Sequence, residues 1–188
     1  MYRQCVSDKA AAQQKLFEEA MVESMRNGLF EEISISELCR MTGLSRKTFY
    51  RLYDSKADVL YSMVDRTILE MGSYTPDASV TPGGMHRFFA YWKTKKDLLD
   101  ALERNRISAL IQQQAVGHVL AESPEIVQCF CSEDTEHRTE IVTFYLCGLF
   151  SLIWGWHKSG FAYSIDEMAE LGMSLMMEPP VKHWLPFL

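Results

Sequence analysis

Between Leu44 and Lys56 the chain sets Arg46, Lys47, Arg51 and Lys56 against a single acid, Asp54. This short segment carries +3 in a protein whose net charge is −6. Thr48 and Tyr50 are interleaved with the cations. On a helix laid in the major groove such side chains have defined work: Arg or Lys reaches guanine edges, Thr meets a thymine methyl and Tyr donates to phosphate. An acidic protein can still bind nucleic acid through one basic face, because phosphate contacts respond to the local field more than to the total charge. A solvated helix surface carries the same charges, so composition alone leaves both readings open.

Other chemistry is sparse. Cys129 and Cys131, with His137 nearby, invite a metal or thiol-sensor reading. Two cysteines one residue apart on a helix point to different sides, however, and the Cys-x-x-Cys spacing is absent. Neither a metal nor a cofactor is expected. His86, His118 and His157 read as surface or core residues. With no nucleophile–base constellation and no Gly-rich phosphate loop, no enzyme is expected either. The five cysteines are odd in number and scattered, unlike a disulfide framework. The opening "MYRQCVSDKAAAQQ" holds no apolar signal segment, so a cytoplasmic protein with reduced thiols is expected. The longest uncharged apolar run, Ile141–Trp156, is shorter than the roughly 20 residues of a membrane span. It reads as a buried helix, with no membrane partner.

The elements that must position the basic run are legible from periodicity and caps. Leu16, Phe17, Ala20, Met21, Ser24 and Met25 recur at helical spacing, giving a first helix over Ser7–Asn27 that Gly28 ends with a left-handed cap. Ser34 and Glu37 form a capping box for a short second helix, stopped by Gly43. Ser45 caps a third helix through Arg51. Ser55 and Asp58 open a fourth, carrying Val59, Leu60, Met63, Val64, Ile68 and Met71. Tyr74–Gly84, with Pro76, Pro82, Gly83 and Gly84, reads as a linker. Helices follow over Met85–Lys95, Lys96–Arg104 and Ile107–Ala121. Ser123 with Pro124 starts a shorter one. Arg138–Lys158 is long and ends at Gly160, and Ser164 with Glu167 caps the last helix before a Pro-containing tail. No strand pattern appears, and the fold class is all-α.

Helix, short helix, Gly turn, short basic helix is the order of a helix-turn-helix. Leu38 and Met41 would hold the second helix on the first, and Phe49 would anchor the third. That leaves Arg46, Lys47, Thr48, Tyr50 and Arg51 outward for the groove. Lys56 would grip the DNA backbone beside the amides at the start of the fourth helix. The segment Phe30–Leu60, with "SISELC", "GLS" and "RKTFYRLYDSKADVL", resembles the N-terminal domain of the TetR/AcrR family of bacterial transcriptional regulators. Ser34, Gly43, Leu44, Ser45, Thr48, Phe49, Tyr50, Tyr53, Lys56 and Leu60 fall on family positions. Thr42 stands where the family usually has Ala, and Tyr53 where Phe is usual; neither change threatens the fold. The N-terminal arm adds only Arg3, Lys9 and Lys15.

The resemblance implies a DNA-binding domain at 1–54 and a helical regulatory and dimerisation domain at 55–188, with the fourth helix, 55–74, as connector. It extends more weakly to "YLCGLFSLIWGWHKSGFAYSIDEMAEL", similar to the two helices that pair with their copies in a second subunit in one branch of the family. Residues 141–156 are apolar on all sides, and such a helix must be covered on both faces. Leu149, Ile153, Trp156, Met168, Gly172 and Met176 are the expected dimer contacts. Phe88, Tyr91, Trp92, Phe144 and Tyr145 could line a cavity for a small apolar or aromatic effector. The expectation is a ligand-responsive repressor acting as a homodimer on a double-stranded operator. One alternative keeps the fold and changes the trigger to a protein partner or a thiol or metal signal, acting as an activator. Another is a helical interaction module without DNA binding.

Overall fold

The computed structural model of the chain describes residues 7–74, 80–131 and 136–177, and every regular element among them is helical. In order these are α1 (Asp8–Asn27), a 3-10 turn (Phe30–Glu32), α2 (Ile35–Thr42), α3 (Arg46–Leu52), α4 (Lys56–Tyr74), α5 (Pro82–Thr94), α6 (Lys96–Arg104), α7 (Ser108–Glu122), α8 (Pro124–Gln128), α9 (Arg138–Lys158) and α10 (Ile165–Met177). They form two compact units. One holds residues up to Leu69 together with Asp97–Ala115, and the other holds Glu70–Lys96 and the chain from Val116 onward. Helix α4, expected as a connector, thus contributes to both.

The helices start where serine hydroxyls can take up the free first-turn amides. Ser7 accepts from Ala10 N at 3.3 Å, Ser34 from Glu37 N at 3.1 Å and Ser45 from Thr48 N at 3.1 Å. Ser55 and Asp58 close a reciprocal box, Ser55 N to Asp58 Oδ2 at 2.9 Å and Asp58 N to Ser55 Oγ at 3.3 Å. Three expectations need correcting. Gly28 ends α1 with extended backbone (φ −146°, ψ −175°), not a left-handed one. Pro82, Gly83 and Gly84 lie in the first turn of α5, because Thr81 Oγ1 accepts from Gly84 N at 3.1 Å and proline fits the first helical position. The linker therefore shrinks, and residues 75–79 of it fall outside the described residues, as does the tail 178–188. Ser123 precedes α8 as expected but makes no side-chain cap bond; it is buried.

In the first unit Phe17, Leu38, Phe49 and Tyr53 are fully buried. Phe17 meets Phe49 edge-on at 5.2 Å, and Tyr53 lies 5.4 Å from Phe49. Burial of each such ring contributes about 1.5–3 kcal/mol. Glu18, 2% exposed, ties α1 to α4 through the Ser62 hydroxyl (2.6 Å) and an ion pair with Arg66. Cys39 joins Leu38 in the α2 core, whereas Met41 is 38% exposed and accepts from the Ser24 hydroxyl of α1, 3.2 Å from its sulfur.

In the second unit α5 and α10 pack along each other, with α9 against both. Gly172 permits the approach: a Cβ there would stand 2.9 Å from Met85 Sδ and 3.1 Å from Phe89 Cε2. Trp92, Trp154 and Trp156 all belong to this unit. Trp156 packs on Phe89 at 5.7 Å and donates from Nε1 to Tyr163 O at 2.9 Å. Its spacing from Gly160 now has a cause. Gly160, left-handed at φ 70°, donates to His157 O, and Phe161 N reaches back to Trp156 O, both at 2.9 Å. The two rings that this closing motif brings together, Trp156 and Phe161, lie 4.9 Å apart.

Candidate nucleic-acid interface

Gly43 at φ 68° reverses the chain after α2, a conformation that costs glycine nothing extra. Thr42 reinforces the stop: its hydroxyl donates to Leu38 O at 2.9 Å and accepts from Leu44 N at 3.3 Å. Seven-residue α3 then rests on the buried Phe49 and Leu52, with Phe49 against Phe17 and Tyr53. A helix buried on that side must turn Arg46, Lys47, Tyr50 and Arg51 outward, and all four are exposed. Tyr50, 45% exposed, leans edge-on against Phe49 at 5.5 Å, which fixes its ring while leaving the hydroxyl in solvent.

The polar members are partly preorganised. Ser45 Oγ, besides capping α3, is 3.0 Å from Thr48 Oγ1. Arg46 Nη1 stands 3.5 Å from Ser36 Oγ on α2, and Arg51 Nη2 donates to Gln13 Oε1 on α1 at 2.6 Å. Gln13 and Ser36 were not among the expected site residues; only the packing of three helices brings them to the arginines. Burial holds the Cys39 thiol above its usual value, against the opposing pull of the Arg46 charge. Ser34, exposed at the start of α2, and Ser45 each present a hydroxyl beside helix amides.

Lys56 departs from expectation. Its ammonium donates to three main-chain carbonyls, Phe30 O and Glu31 O at 2.7 Å and Ile33 O at 3.0 Å, and stands 4.7 Å over the Phe30 ring. An ammonium has three N–H groups, so its donors are directed into the 3-10 turn, not toward solvent. A single 3-10 turn cannot satisfy all of its carbonyls within itself: Phe30 O also accepts from Ile33 N at 3.2 Å, and Lys56, at the start of α4, supplies further donors.

The other expected groups scatter. Tyr91 and Trp92 are buried and Phe88 is half-buried on α5, with Trp92 5.7 Å from Phe150. Phe144 is 73% exposed, and Tyr145 stacks on Phe130 at 5.6 Å. A groove of about 380 Å³ in the second unit is lined by Pro82, His86, Asp166, Ala169, Glu170 and Met173, none of the five aromatics. The expected dimer contacts need the same correction. Leu149, Ile153, Trp156, Met168 and Gly172 are buried in the chain's own core, and Met176 is half-buried. The outer face of α9 instead presents Phe144, Gly148, Ser151 and Gly155, all exposed at intervals of about one turn. On α10, Leu171 and Met177 are 43% and 68% exposed. Helix α9, at 21 residues, is long and apolar enough to cross a membrane by length and composition alone. Cys129 is half-buried; burial raises its thiol pKa, and Sγ sits 3.2 Å from Glu125 O.

No family model and no curated protein matches the chain. Among solved structures, it is similar to a TetR transcriptional regulator from Streptococcus agalactiae 2603V, with a TM-score of 0.63 at 10% sequence identity, over 89% of this chain and 95% of that one. The likeness is one of fold.

Proposed function

We propose that the chain is a TetR-like DNA-binding transcriptional regulator: a cytoplasmic, ligand-responsive repressor that acts as a homodimer. The observation that carries this reading is α3, braced from below by Phe49 and Leu52 and presenting Arg46, Lys47, Tyr50 and Arg51 together on its exposed side. With Ser34, Ser45 and Thr48, these side chains supply base-edge donors and phosphate contacts. Two copies would place their α3 helices about one DNA turn, roughly 34–36 Å, apart. The face for pairing is the outer side of α9 and α10, around Phe144, Leu171 and Met177. Pairing would also give α9 the second cover that its composition demands.

A small apolar or aromatic effector would sit beside Phe88, Tyr91 and Trp92. The Trp92 indole N–H is buried without an acceptor among the described residues, and a buried unpaired donor is costly enough to favour a ligand that supplies one. Such a ligand acts only by its differential affinity for the DNA-competent state. The exposure of Phe144 favours a second reading in which a protein partner is the trigger. The test is binding of the purified protein to DNA upstream of its own gene, titrated against salt and random competitor. Tight, competitor-resistant binding with a steep salt slope supports the regulator. Binding equally weak on all sequences leaves a helical interaction module.

A further inference from the structure

We infer that Asn105 is a positioning residue for the recognition helix, tying the end of α6 to the segment that launches α2. Helix α6 closes with a motif that usually takes glycine. Arg106 adopts φ 55° and donates to Glu103 O at 3.0 Å, and Ile107 N reaches Leu102 O at 3.2 Å. This pins the backbone of Asn105, and its side chain turns onto residues 75 and 80 positions earlier in the chain. Asn105 Nδ2 donates to Met25 O at 3.0 Å, in the last turn of α1, and to Ala101 O at 2.8 Å. Asn105 Oδ1 accepts from Phe30 N at 2.6 Å. The carboxamide thus meets a carbonyl and an amide that helix ends leave unmatched.

The other side of residue 30 is held by Lys56. Its ammonium takes Phe30 O, Glu31 O and Ile33 O. Residue 30 is therefore gripped through its N–H by α6 and through its C=O by α4, and four residues later Ser34 caps α2. A movement of α6 is passed to α2 and α3 through directional bonds, which transmit orientation where apolar packing would permit sliding. Arg26, 3.5 Å from Asp97 at the start of α6, adds a second tie between α1 and the same helix.

This inference rests on the DNA-binding reading for its consequence, but its mechanics are testable in the free protein. Amide hydrogen exchange of Asn105→Ala, Asn105→Gln and Lys56→Met is compared with the wild type. In Asn105→Ala the Phe30 amide and those of α2 and α3 should exchange at least tenfold faster, with α9 and α10 unchanged. Lys56→Met should give the same pattern, and the double variant should add little. Uniform acceleration across the first unit, or no change at α2 and α3, overturns the inference whatever the protein does with DNA. On DNA, Asn105→Ala should lose about tenfold in preference for the operator over random sequence, partly restored in Asn105→Gln. An equal loss on both sequences reduces Asn105 to a stability residue. If the wild type binds no operator, the proposed function falls while the exchange result still decides the coupling.

Discussion

Helices α3 and α9 meet solvent in opposite ways. The first buries two side chains and surrounds them with Arg46, Lys47, Tyr50 and Arg51, so its outer face is at ease in water. The second buries Val142, Leu146, Leu149, Phe150, Ile153 and Trp156, yet between the exposed Glu140 and Lys158 at its ends it turns outward Phe144 with Gly148, Ser151 and Gly155. A charged outer face suits transient, salt-sensitive contact with a polyanion. An outer face of one ring and small residues suits close, lasting packing against another helix. In α3 the outer face is complete in itself; in α9 it is an unfinished interior.

The largest effects should come from the anchors beneath each helix. Phe49→Ala and Trp156→Ala should each lose about 3–5 kcal/mol in urea unfolding, since both rings are essentially fully buried. A loss below about 1 kcal/mol for either would mean that its helix is not held as described. Next in size, Lys47→Ala should weaken operator binding by about 1–3 kcal/mol while leaving unfolding within about 0.5 kcal/mol. If stability falls with binding, α3 is not a purely solvated face.

The glycines separate the two sides of the second unit. Gly172→Ala should destabilise by about 1–3 kcal/mol, because its Cβ would meet Met85 and Phe89. Gly148→Ala has nothing within 4 Å and should stabilise the protomer by about 0.5–1 kcal/mol at high dilution. The same change should weaken self-association in sedimentation equilibrium; unchanged association would remove α9 from the proposed dimer face. The smallest effect is electrostatic. Glu167 Oε2 accepts from Ser164 N at 2.7 Å while Ser164 Oγ accepts from Glu167 N, and the amide bond first, then the hydroxyl, hold this carboxyl below its ordinary value. A depressed folded pKa stabilises above the unfolded pKa, and that stabilisation disappears as pH falls through the folded one. Glu167→Gln should therefore flatten the acid limb of the stability profile slightly and leave the alkaline limb as it was.

The all-helical class, most helix limits and the serine caps were legible because capping is decided within three or four residues. The outward set on α3 was legible for a related reason: Phe49 and Leu52 fix the phase of a short amphipathic helix. Helix α9 offered no phase, since apolar residues on every side leave periodicity silent about which side is inner. That is why Leu149, Ile153 and Trp156 were expected at a partner and lie in the core. Pro82-Gly83-Gly84 reads as a break until Thr81 supplies a cap. The grip of Lys56 on three carbonyls and of Asn105 on Met25 and Phe30 depends on residues more than twenty positions apart, and no local pattern announces it. Arg106 carries no glycine-like signal for its left-handed turn.

One feature of the second unit has an optical consequence. Trp92, Trp154 and Trp156 lie together there, while the first unit has phenylalanines and tyrosines at its centre. Among the described residues, excitation of the indole band would therefore illuminate the second unit and leave the first dark. A melting curve followed by tryptophan emission would track the loosening of α5, α9 and α10, and the first unit could unfold beneath it without a change in colour. Placing a single indole at Tyr53 would give that half its own lamp.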